Sequence, residues 1–405
     1  MRVRLQLDRD GPPMTERTEE IARDLETGRA AMRELLSALV AIPTENPPAT
    51  GYAPCVALLE ATLARLGFPF ERIEIPSPSE APRAALRAWV GEHAPSLCFH
   101  GHYDVVPSAA PGQFEPRVEG DTLFGRGSSD MKSGLVAMLF AAKALRTAGV
   151  ALRGRIELLF VPDEETGGAF GTGALAAAGL LPDDAVGMLL PEPTSGVVWN
   201  ANRGAITLEV TVRGRAAHVA LQHQGTNAVE RALPLLARLF EVKRELDAAG
   251  GSILLVGGRV DAGTNFNLVP AECRFTLDRR TDPQEDFDAE KQRLLGILEA
   301  ARSQGIDLEI RTIQEGRSAS TPPDGALAQA LSRVVATVTG DRPVFEMCPG
   351  LLETRFYAER GVPALAYGPG ILAVSHGPHE FVKISRMAEC ARIYALTAAA
   401  MLAGE

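Results

Sequence analysis

Hydrophobic and polar residues follow two different patterns along the chain, and the first pattern occupies both ends. Helical periodicity covers roughly residues 16–40 and 53–66, and short apolar runs follow near 83–90, 96–100 and 155–161. The segment from Met131 to Ala148 is apolar on nearly all sides, which predicts a buried helix. Strands that alternate with helices in this way predict an α/β domain whose mostly parallel sheet is covered by helices.

The second pattern begins near Arg203-Gly204, where apolar and polar residues alternate one by one. Residues 206–213 and 273–278 show this alternation, which is typical of half-buried antiparallel strands. Amphipathic helices are predicted over 227–247, where Pro234 would introduce a kink, and over 287–301, and a last strand over 308–313. These elements predict an α+β unit inserted into the first domain.

The α/β pattern returns after Gly316, with a helix that Asp324 caps and that runs through Val338, and with a strand over 364–367. We therefore predict a catalytic domain made of residues 15–204 and 317–405, and an inserted domain made of residues 205–316. The first dozen residues are predicted to be a loose extension, and Met14 is an alternative start.

Composition narrows the class of protein without specifying a function. Of the 405 residues, 46% are hydrophobic and 23% are charged, which is ordinary for a globular protein with a sizeable core. The net charge of −10 argues against a nucleic-acid-binding surface. No apolar run is long enough for a signal peptide or a membrane span, and five scattered cysteines are typical of a reducing compartment, so we predict a cytoplasmic protein.

Histidine and acidic residues are concentrated at the ends of predicted strands. The clusters are His100-Gly-His102-Tyr-Asp104, Asp163-Glu164-Glu165 and His376-Gly-Pro-His379-Glu380, with Asp130 and Glu192 in the turns between them. Loops at the carboxyl ends of strands are where α/β proteins place their chemistry, and histidine with carboxylate is the ligand set of a hydrolytic zinc site. The sequence therefore predicts a metal-dependent hydrolase.

The spacing of these residues supplies the parts of a two-metal site. Such a site needs ions about 3.5–4 Å apart, a bridging carboxylate, terminal ligands and one free carboxylate that takes a proton from water. His102 lies just past a strand, and Asp104 can hydrogen-bond its other ring nitrogen. Glu164 and Glu165 point in different directions, so one can bind metal while its neighbour faces the substrate. Taken singly, each residue has a structural alternative: a core histidine, a helix cap or a solvated acidic pair.

Together the motifs resemble one family. The segments that carry the resemblance are His102-x-Asp104, Gly-Ser-Ser-Asp130-Met-Lys, Asp-Glu164-Glu165-Thr-Gly-Gly, Glu192-Pro-Thr and His376-Gly-x-x-Glu380. They are similar, in this order, to the acetylornithine deacetylase, succinyl-diaminopimelate desuccinylase, aminoacylase and carboxypeptidase G family of zinc amidohydrolases. The match runs from about residue 30 to the end of the chain. It implies a zinc-peptidase-like catalytic domain with an inserted lid or dimerisation domain.

The resemblance also implies a role for each residue of the site. One zinc would be bound by His102 and Glu192, the other by Glu165 and His376, and both by Asp130 as the bridge. Glu164 would act as general base and acid, and Asp104 would orient His102. Cobalt and manganese are the alternatives to zinc.

The resemblance connects further residues with the substrate. His218, in the inserted unit, would reach the active site of the partner in a homodimer and donate to the oxyanion. Asn267 and Arg280 match substrate-binding positions, and an arginine fork suits a carboxylate. Gly368 and Gly370 resemble a glycine-rich loop whose backbone could meet the same carboxylate. The structural alternatives are a surface histidine, a salt bridge (with Arg279 as the solvated neighbour) and a simple turn.

Two positions depart from the family pattern. His379 stands where the family often has Asn, so the loop could shape a distinct pocket, and a ligand swap between His376 and His379 is an alternative. Glu353 occupies a place usually held by Asp, which leaves the role of Arg355 open.

The predicted reaction is hydrolysis of the amide bond of an N-acyl amino acid, and the alternative is a metallo-dipeptidase or carboxypeptidase with the same metal chemistry. The substrate would be a small N-acylated amino acid or dipeptide with a free carboxylate, without nucleic acid or membrane as a partner. Segments around Arg355 and Tyr367 look most like the deacetylase and desuccinylase branch. Two further alternatives are a metal-free binding protein and a nucleotide-binding oxidoreductase. The latter is suggested by Gly171-Thr-Gly173-Ala-Leu-Ala176, which lacks an acidic ribose partner.

Overall fold

The computed structural model describes residues 14–77, 82–92, 94–251 and 253–402, so the predicted loose extension over the first dozen residues lies outside the described residues. The chain divides into two compact units. The first comprises the described residues of Met1–Asn200, Ser320–Met347 and Glu353–Glu405, and the second comprises those of Ala201–Ala319 and Cys348–Leu352.

The described helices and strands are numbered in chain order. The helices are α1 (Met14–Thr27), α2 (Arg29–Val40), α3 (Tyr52–Leu66), α4 (Lys132–Thr147), α5 (Thr172–Ala177), α6 (Ala228–Ala249), α7 (Phe287–Ser303), α8 (Ala326–Thr339), α9 (Thr354–Ala358) and α10 (Ile384–Leu402). The first eight strands are β1 (Phe70–Ile75), β2 (Arg83–Val90), β3 (Ser96–His102), β4 (Arg117–Glu119), β5 (Thr122–Phe124), β6 (Arg155–Val161), β7 (Ala185–Leu190) and β8 (Val198–Asn202). The others are β9 (Gly204–Arg213), β10 (Ile253–Ala262), β11 (Glu272–Thr281), β12 (Leu308–Gly316), β13 (Ala319–Ser320), β14 (Phe345–Cys348), β15 (Ala364–Ala366) and β16 (Phe381–Lys383).

A nine-stranded sheet organises the first unit. Its order is β1-β2-β6-β3-β7-β15-β8-β13, with β14 beside β8. The central strands β6, β3, β7 and β15 run parallel, whereas β1 and β2 pair antiparallel at one side. The predicted α/β fold class is confirmed. Because parallel strands end at the same edge, the residues after β3, β6 and β7 are brought together there.

The helices of the first unit differ from the prediction at two points. The buried helix after Asp130 is confirmed, since α4 is apolar and buried along almost its whole length. The first predicted helix is instead two helices, α1 and α2, separated at Gly28. Gly28 marks the break, and glycine has the weakest helix propensity after proline, although the Gly28 N–H still donates to the Asp24 carbonyl oxygen at 2.9 Å. The predicted cap of α8 is wrong, because Gly325 occupies the N-cap position and Asp324 lies before it.

The second unit contains a four-stranded antiparallel sheet in the order β10-β11-β9-β12, together with α6 and α7. Strand β11 alternates between half-buried and buried residues along its whole length, and over residues 273–278 this confirms the predicted alternation. Its buried apolar side chains join the inward faces of α6 and α7 in a separate core. Pro234 lies inside α6 rather than ending it. Strand β10 forms an edge of the sheet.

Two global predictions concern cysteines and membranes. All five cysteines are free and buried, as their spacing predicts. Among the described residues, no helix combines the length and the apolar character needed to cross a bilayer.

Candidate metal centre

The predicted ligands come together at the edge where the central strands end. His102 is the last residue of β3, and Glu164 and Glu165 form a short 3₁₀ turn directly after β6. Glu192 follows β7, Asp130 precedes α4, and His376 follows the 3₁₀ turn Leu372–Val374. Residues that are separated by up to 274 positions in the chain therefore share one site.

Two groups of candidate ligands share Asp130. In the first group, His102 Nε2 lies 3.5 Å from Asp130 Oδ1 and 3.6 Å from Glu192 Oε1. In the second, His376 Nε2 lies 3.3 Å from Asp130 Oδ2 and 3.2 Å from Glu165 Oε2. The ligand atoms within each group all lie within 4.8 Å of one another. Because the two oxygens of Asp130 face different histidines, this carboxylate is placed to bridge two ions.

Unpaired atoms in the first group show that a cation fits between these side chains. Among the described residues, His102 Nε2 and Glu192 Oε1 are buried and have no hydrogen-bond partner. Buried polar atoms are normally paired, and an unpaired one costs free energy. Imidazole nitrogen and carboxylate oxygen are ligands for zinc, cobalt and manganese. A divalent ion therefore fits both the donor set and the unmet bonding capacity.

The electrostatics of the cluster lead to the same conclusion. Burial raises the pKa of Glu192 well above its ordinary value, and the charge of Asp130 raises it further. Burial likewise raises the pKa of Glu164, and the charge of Glu165 adds to the effect. Hydrogen bonds to Asp130 and Glu165 raise the pKa of His376 to about 10. The carboxylates thus repel one another in a site with little water, and cations placed among them would relieve that repulsion.

The turn that carries Glu164 and Glu165 is fixed by Asp104. The Asp104 carboxylate accepts the backbone N–H groups of both glutamates at 3.2 Å. His102 Nδ1 lies 3.0 Å from the Asp104 carbonyl oxygen and 3.5 Å from its carboxylate. Asp104 therefore contacts two candidate ligands, His102 and Glu165, and the candidate base Glu164 at the same time.

Asn46 is a residue of the site that the sequence interpretation missed. It is buried in the loop after α2, and its Nδ2 atom donates to Asp104 Oδ2 at 2.9 Å and to Thr166 Oγ1 at 3.1 Å. Its only sequence signal is a polar residue before Pro47-Pro48, which equally indicates a turn.

Comparisons with known proteins agree with this geometry. Residues 98–400 match the profile of the peptidase family M20/M25/M40. The chain belongs to this family. It is 32% identical over 375 residues to the succinyl-diaminopimelate desuccinylase of Alkalilimnicola ehrlichii, covering 89% of this chain and 96% of that protein. It is 34% identical over 365 residues to the enzyme of the same name from Gluconobacter oxydans, covering 86% and 91%.

Solved structures show the same M20 fold. The di-peptidase Dug1p from Saccharomyces cerevisiae superimposes with a TM-score of 0.77 at 14% identity, covering 95% of this chain and 98% of that one. Human carnosine dipeptidase 1 gives a TM-score of 0.74 at 15% identity, covering 95% and 99%. At such low identity these two structures establish the fold alone. With the family and the curated relatives, the predicted resemblance and the prediction of a metal-dependent amidohydrolase are confirmed.

The two departures from the family pattern lie in different surroundings. His379 is exposed and belongs to neither ligand group. Glu353 is fully buried, and its carboxylate lies 2.7 Å from His100 Nε2. Arg355, two residues later, donates to the carbonyl oxygen of Gly167 at 2.7 Å, beside the turn that carries Glu164. His100 therefore pairs with Glu353 in the core and is not a third histidine of the metal cluster.

The glycines predicted to meet substrate lie against the segment that follows Glu192. The Gly368 N–H donates to Thr194 Oγ1 at 3.3 Å, and the Gly370 carbonyl accepts from Ser195 N at 3.1 Å. A Cβ atom added to Gly370 would lie 2.6 Å from Pro193 Cβ. Close packing therefore accounts for the absence of a side chain at Gly370, whatever part its backbone has in substrate binding.

The remaining predicted residues lie in the second unit. His218 is exposed, and its Nδ1 accepts from Ala220 N at 3.2 Å. The neighbouring N–H of Val219 donates to the Asn267 carbonyl at 2.9 Å, so the His218 and Asn267 loops are adjacent. Arg280 makes a two-point ion pair with Asp278, at 2.7 and 2.9 Å.

Arg279 corrects the sequence interpretation. It was expected to be the solvated neighbour of Arg280, yet its side chain is completely buried. The burial is possible because its guanidinium pairs with Glu285 and, at 2.8 Å, with Glu290.

Proposed function

We propose that this M20 enzyme hydrolyses the amide bond of an N-acyl amino acid, with Glu164 as the general base and acid. The proposal rests on one carboxylate that lies beside the two ligand groups and belongs to neither. Glu164 belongs to neither group, although its Oε2 lies only 3.9 Å from His102 Nε2. A base that is close to the metals but not bound to them is what hydrolysis by a two-metal site requires.

In the proposed mechanism, His102, Asp130 and Glu192 would hold one ion, and Asp130, Glu165 and His376 would hold the other. The ions, with zinc as the proposed metal, would supply a Lewis acid and lower the pKa of nearby water. Glu164 takes a proton from the attacking water on its carboxylate. Glu164 then gives the proton to the leaving nitrogen, while Asp104 holds the turn in place through its backbone N–H groups.

The curated relatives support an acylated amino acid as the substrate. Those quoted above are named succinyl-diaminopimelate desuccinylases and match almost the full chain. We propose an N-acyl amino acid with a free carboxylate as the substrate. The residues proposed to bind it are Arg280 and Asn267 and the backbone of Gly368 and Gly370. The second candidate is a dipeptide, the kind of substrate named for the two fold neighbours, whose likeness to this chain establishes the fold alone. Comparing kcat/KM for N-succinyl amino acids, N-acetyl amino acids and dipeptides distinguishes between the two candidate substrate classes.

A Glu164 variant tests the mechanism. Glu164→Gln should keep both ions and lose roughly 10²–10⁴-fold in kcat, the usual contribution of a positioned proton-transfer group. Metal content by atomic emission and turnover of the best substrate are measured on the same preparation. Glu34→Gln, at a side chain that is 73% exposed, is the matched control and should behave like the wild type. Near-normal kcat in Glu164→Gln would reject the role.

We propose a homodimer formed through α6 and the edge strand β10. Several large apolar side chains are exposed on these elements, namely Leu233, Phe240, Ile253, Leu255 and Val260. Unpaired strand edges and exposed apolar side chains are typical of surfaces that bind another chain. Phe240→Glu should shift the molar mass measured by light scattering from dimer to monomer. An unchanged mass would refute this interface.

Mixed dimers test whether His218 serves the partner's site. Glu164→Ala and His218→Ala subunits should each be inactive alone. Co-expressed with different tags and purified as hybrids, they should regain about half the wild-type activity, because one of the two sites then has both residues. Inactive hybrids would show that His218 does not act in the other subunit.

A further inference from the structure

A buried ion pair lies beside the second ligand group. Arg126 and Glu380 are each only 1% exposed, and Arg126 Nη1 lies 2.5 Å from Glu380 Oε2. Arg126 lies in the loop between β5 and α4, and Glu380 directly precedes β16. Burying two charges is costly, and the cost is offset only where their remaining donors and acceptors are also satisfied. The other bonds of this pair therefore indicate what it holds.

Two of those bonds go to the backbone of candidate ligands, and the others go to Ser129 N and, at 3.3 Å, to the Pro107 carbonyl oxygen. Glu380 Oε1 accepts the N–H groups of Ser129 at 2.9 Å and Asp130 at 3.0 Å. Arg126 Nη2 donates to the carbonyl oxygen of His376 at 3.1 Å. Asp130 and His376 belong to the same group, so one ion pair ties together two of the ligands of the second ion.

His376 needs such support more than the other histidine does. Its backbone has φ = 63°, in the left-handed region that residues with a side chain seldom adopt. Its side chain is 53% exposed, so packing alone does not fix it. His102, in contrast, is the last residue of the buried strand β3, and Asp104 holds its ring. The two ligand groups are thus fixed by different means.

We propose that Arg126 and Glu380 are positioning residues that set the affinity of the ion bound by Asp130, Glu165 and His376. The proposal rests on the proposed two-ion site. The pair fixes the backbone positions of Asp130 and His376. Its loss should therefore weaken the binding of the second ion more than that of the first. The first ion should change little, although Asp130 is shared, because His102 and Glu192 do not contact the pair.

The variants separate position from charge. Arg126→Lys keeps the positive charge but cannot bond to Glu380 and the His376 carbonyl with the same fork. Glu380→Gln keeps an acceptor for the two N–H groups and loses the charge. Asp24→Asn is the matched control, because it breaks a partly buried ion pair with Lys143, at 2.7 Å, that contacts no candidate ligand.

The measurement is the affinity of each ion, by competition with a chromophoric chelator, together with the visible spectrum of the cobalt-loaded protein. Arg126→Lys should lower the affinity for the second zinc ion by roughly 10–100-fold, the usual effect of losing a residue that supports a ligand. The affinity for the first zinc ion should stay within about threefold of the wild-type value. The affinity of Glu380→Gln for the second zinc ion should lie between those of Arg126→Lys and the wild type. Asp24→Asn should lower the stability of the metal-free protein without changing either affinity.

Each other outcome has a distinct meaning. If Arg126→Lys binds both ions like the wild type, or weakens both equally, the positioning role is refuted. If the wild type itself binds fewer than two ions, the proposed two-ion function fails first. Measured affinities of the wild type therefore distinguish the failure of the function from the failure of this inference.

Discussion

Asn46 offers a sharp test of how the turn that carries Glu164 is held. Its buried Nδ2 atom donates to Asp104 Oδ2 at 2.9 Å and to Thr166 Oγ1 at 3.1 Å. Because Asp104 accepts the backbone N–H of Glu164, the amide of Asn46 connects the loop after α2 to the candidate base. We predict that Asn46→Ala destabilises the fold and lowers turnover, although Asn46 is neither a candidate ligand nor a candidate base.

The expected loss follows from these two bonds. A hydrogen bond to a charged acceptor contributes roughly 1.5–3 kcal/mol and one between neutral groups roughly 0.5–1.5, so Asn46→Ala should lower the free energy of unfolding by about 3 kcal/mol. Asn46→Asp keeps the size but adds a carboxyl beside Asp104 and Asp163, so at pH 7 it should cost more than alanine. The folded state would raise the pKa of the new carboxyl above its unfolded value of about 3.9. The extra cost should therefore be small near that pH and grow as the pH rises.

Urea unfolding of the metal-free protein, followed by circular dichroism at pH 4 and pH 7, measures both effects. Asn200→Ala is the control, because Asn200 Nδ2 donates one hydrogen bond, to the Thr321 carbonyl oxygen at 2.9 Å. This substitution should lower the free energy of unfolding by about 1 kcal/mol. The reasoning is refuted if Asn46→Ala costs no more than Asn200→Ala. It is also refuted if Asn46→Asp lowers the free energy of unfolding at pH 7 by no more than Asn46→Ala does.

Three further predictions concern the ions, the core and the buried pair of Glu353 with His100. Removing the ions with a chelator should lower the melting temperature, since an ion present at 100 times its dissociation constant adds about 2.7 kcal/mol, and added zinc should restore it. Leu139→Ala, in the buried centre of α4, should cost about 3 kcal/mol in urea unfolding and leave both metal affinities unchanged. Glu353→Ala removes the carboxylate that pairs with His100 and should lower the free energy of unfolding in urea by about 3–5 kcal/mol. Glu353→Gln should lower it less, because the amide keeps a hydrogen bond to the His100 ring.

The sequence predicts those parts of the fold in which one local pattern decides the outcome. Strands β2 and β6 have the bounds that their apolar runs predict, and β3 extends two residues beyond its prediction to include His102. Chemistry at strand ends could be predicted too, because parallel strands bring their carboxyl ends together whatever the intervening chain does. The alternation over residues 273–278 likewise predicts which of these side chains in β11 are buried.

Contacts between distant loops could not be predicted in this way. Asn46 meets Asp104 across 58 positions, and Arg126 meets Glu380 across 254. Nothing local in the sequence distinguishes such residues from polar loop residues, because their partners are set by how the loops cross. Arg279 shows the same limit, since its burial depends on Glu285 and Glu290 in the following segment.

Charge balance within the site supports the choice of Glu164 as the base. Five carboxyl groups are gathered there, namely Asp104, Asp130, Glu164, Glu165 and Glu192. Two divalent ions would bring four positive charges against five negative ones, with both histidines neutral as metal ligands. The charge of Asp104 is already stabilised by two backbone N–H groups and the Asn46 amide. The remaining negative charge then falls on Glu164, which has neither an ion nor such donors, so a proton binds there at the lowest cost.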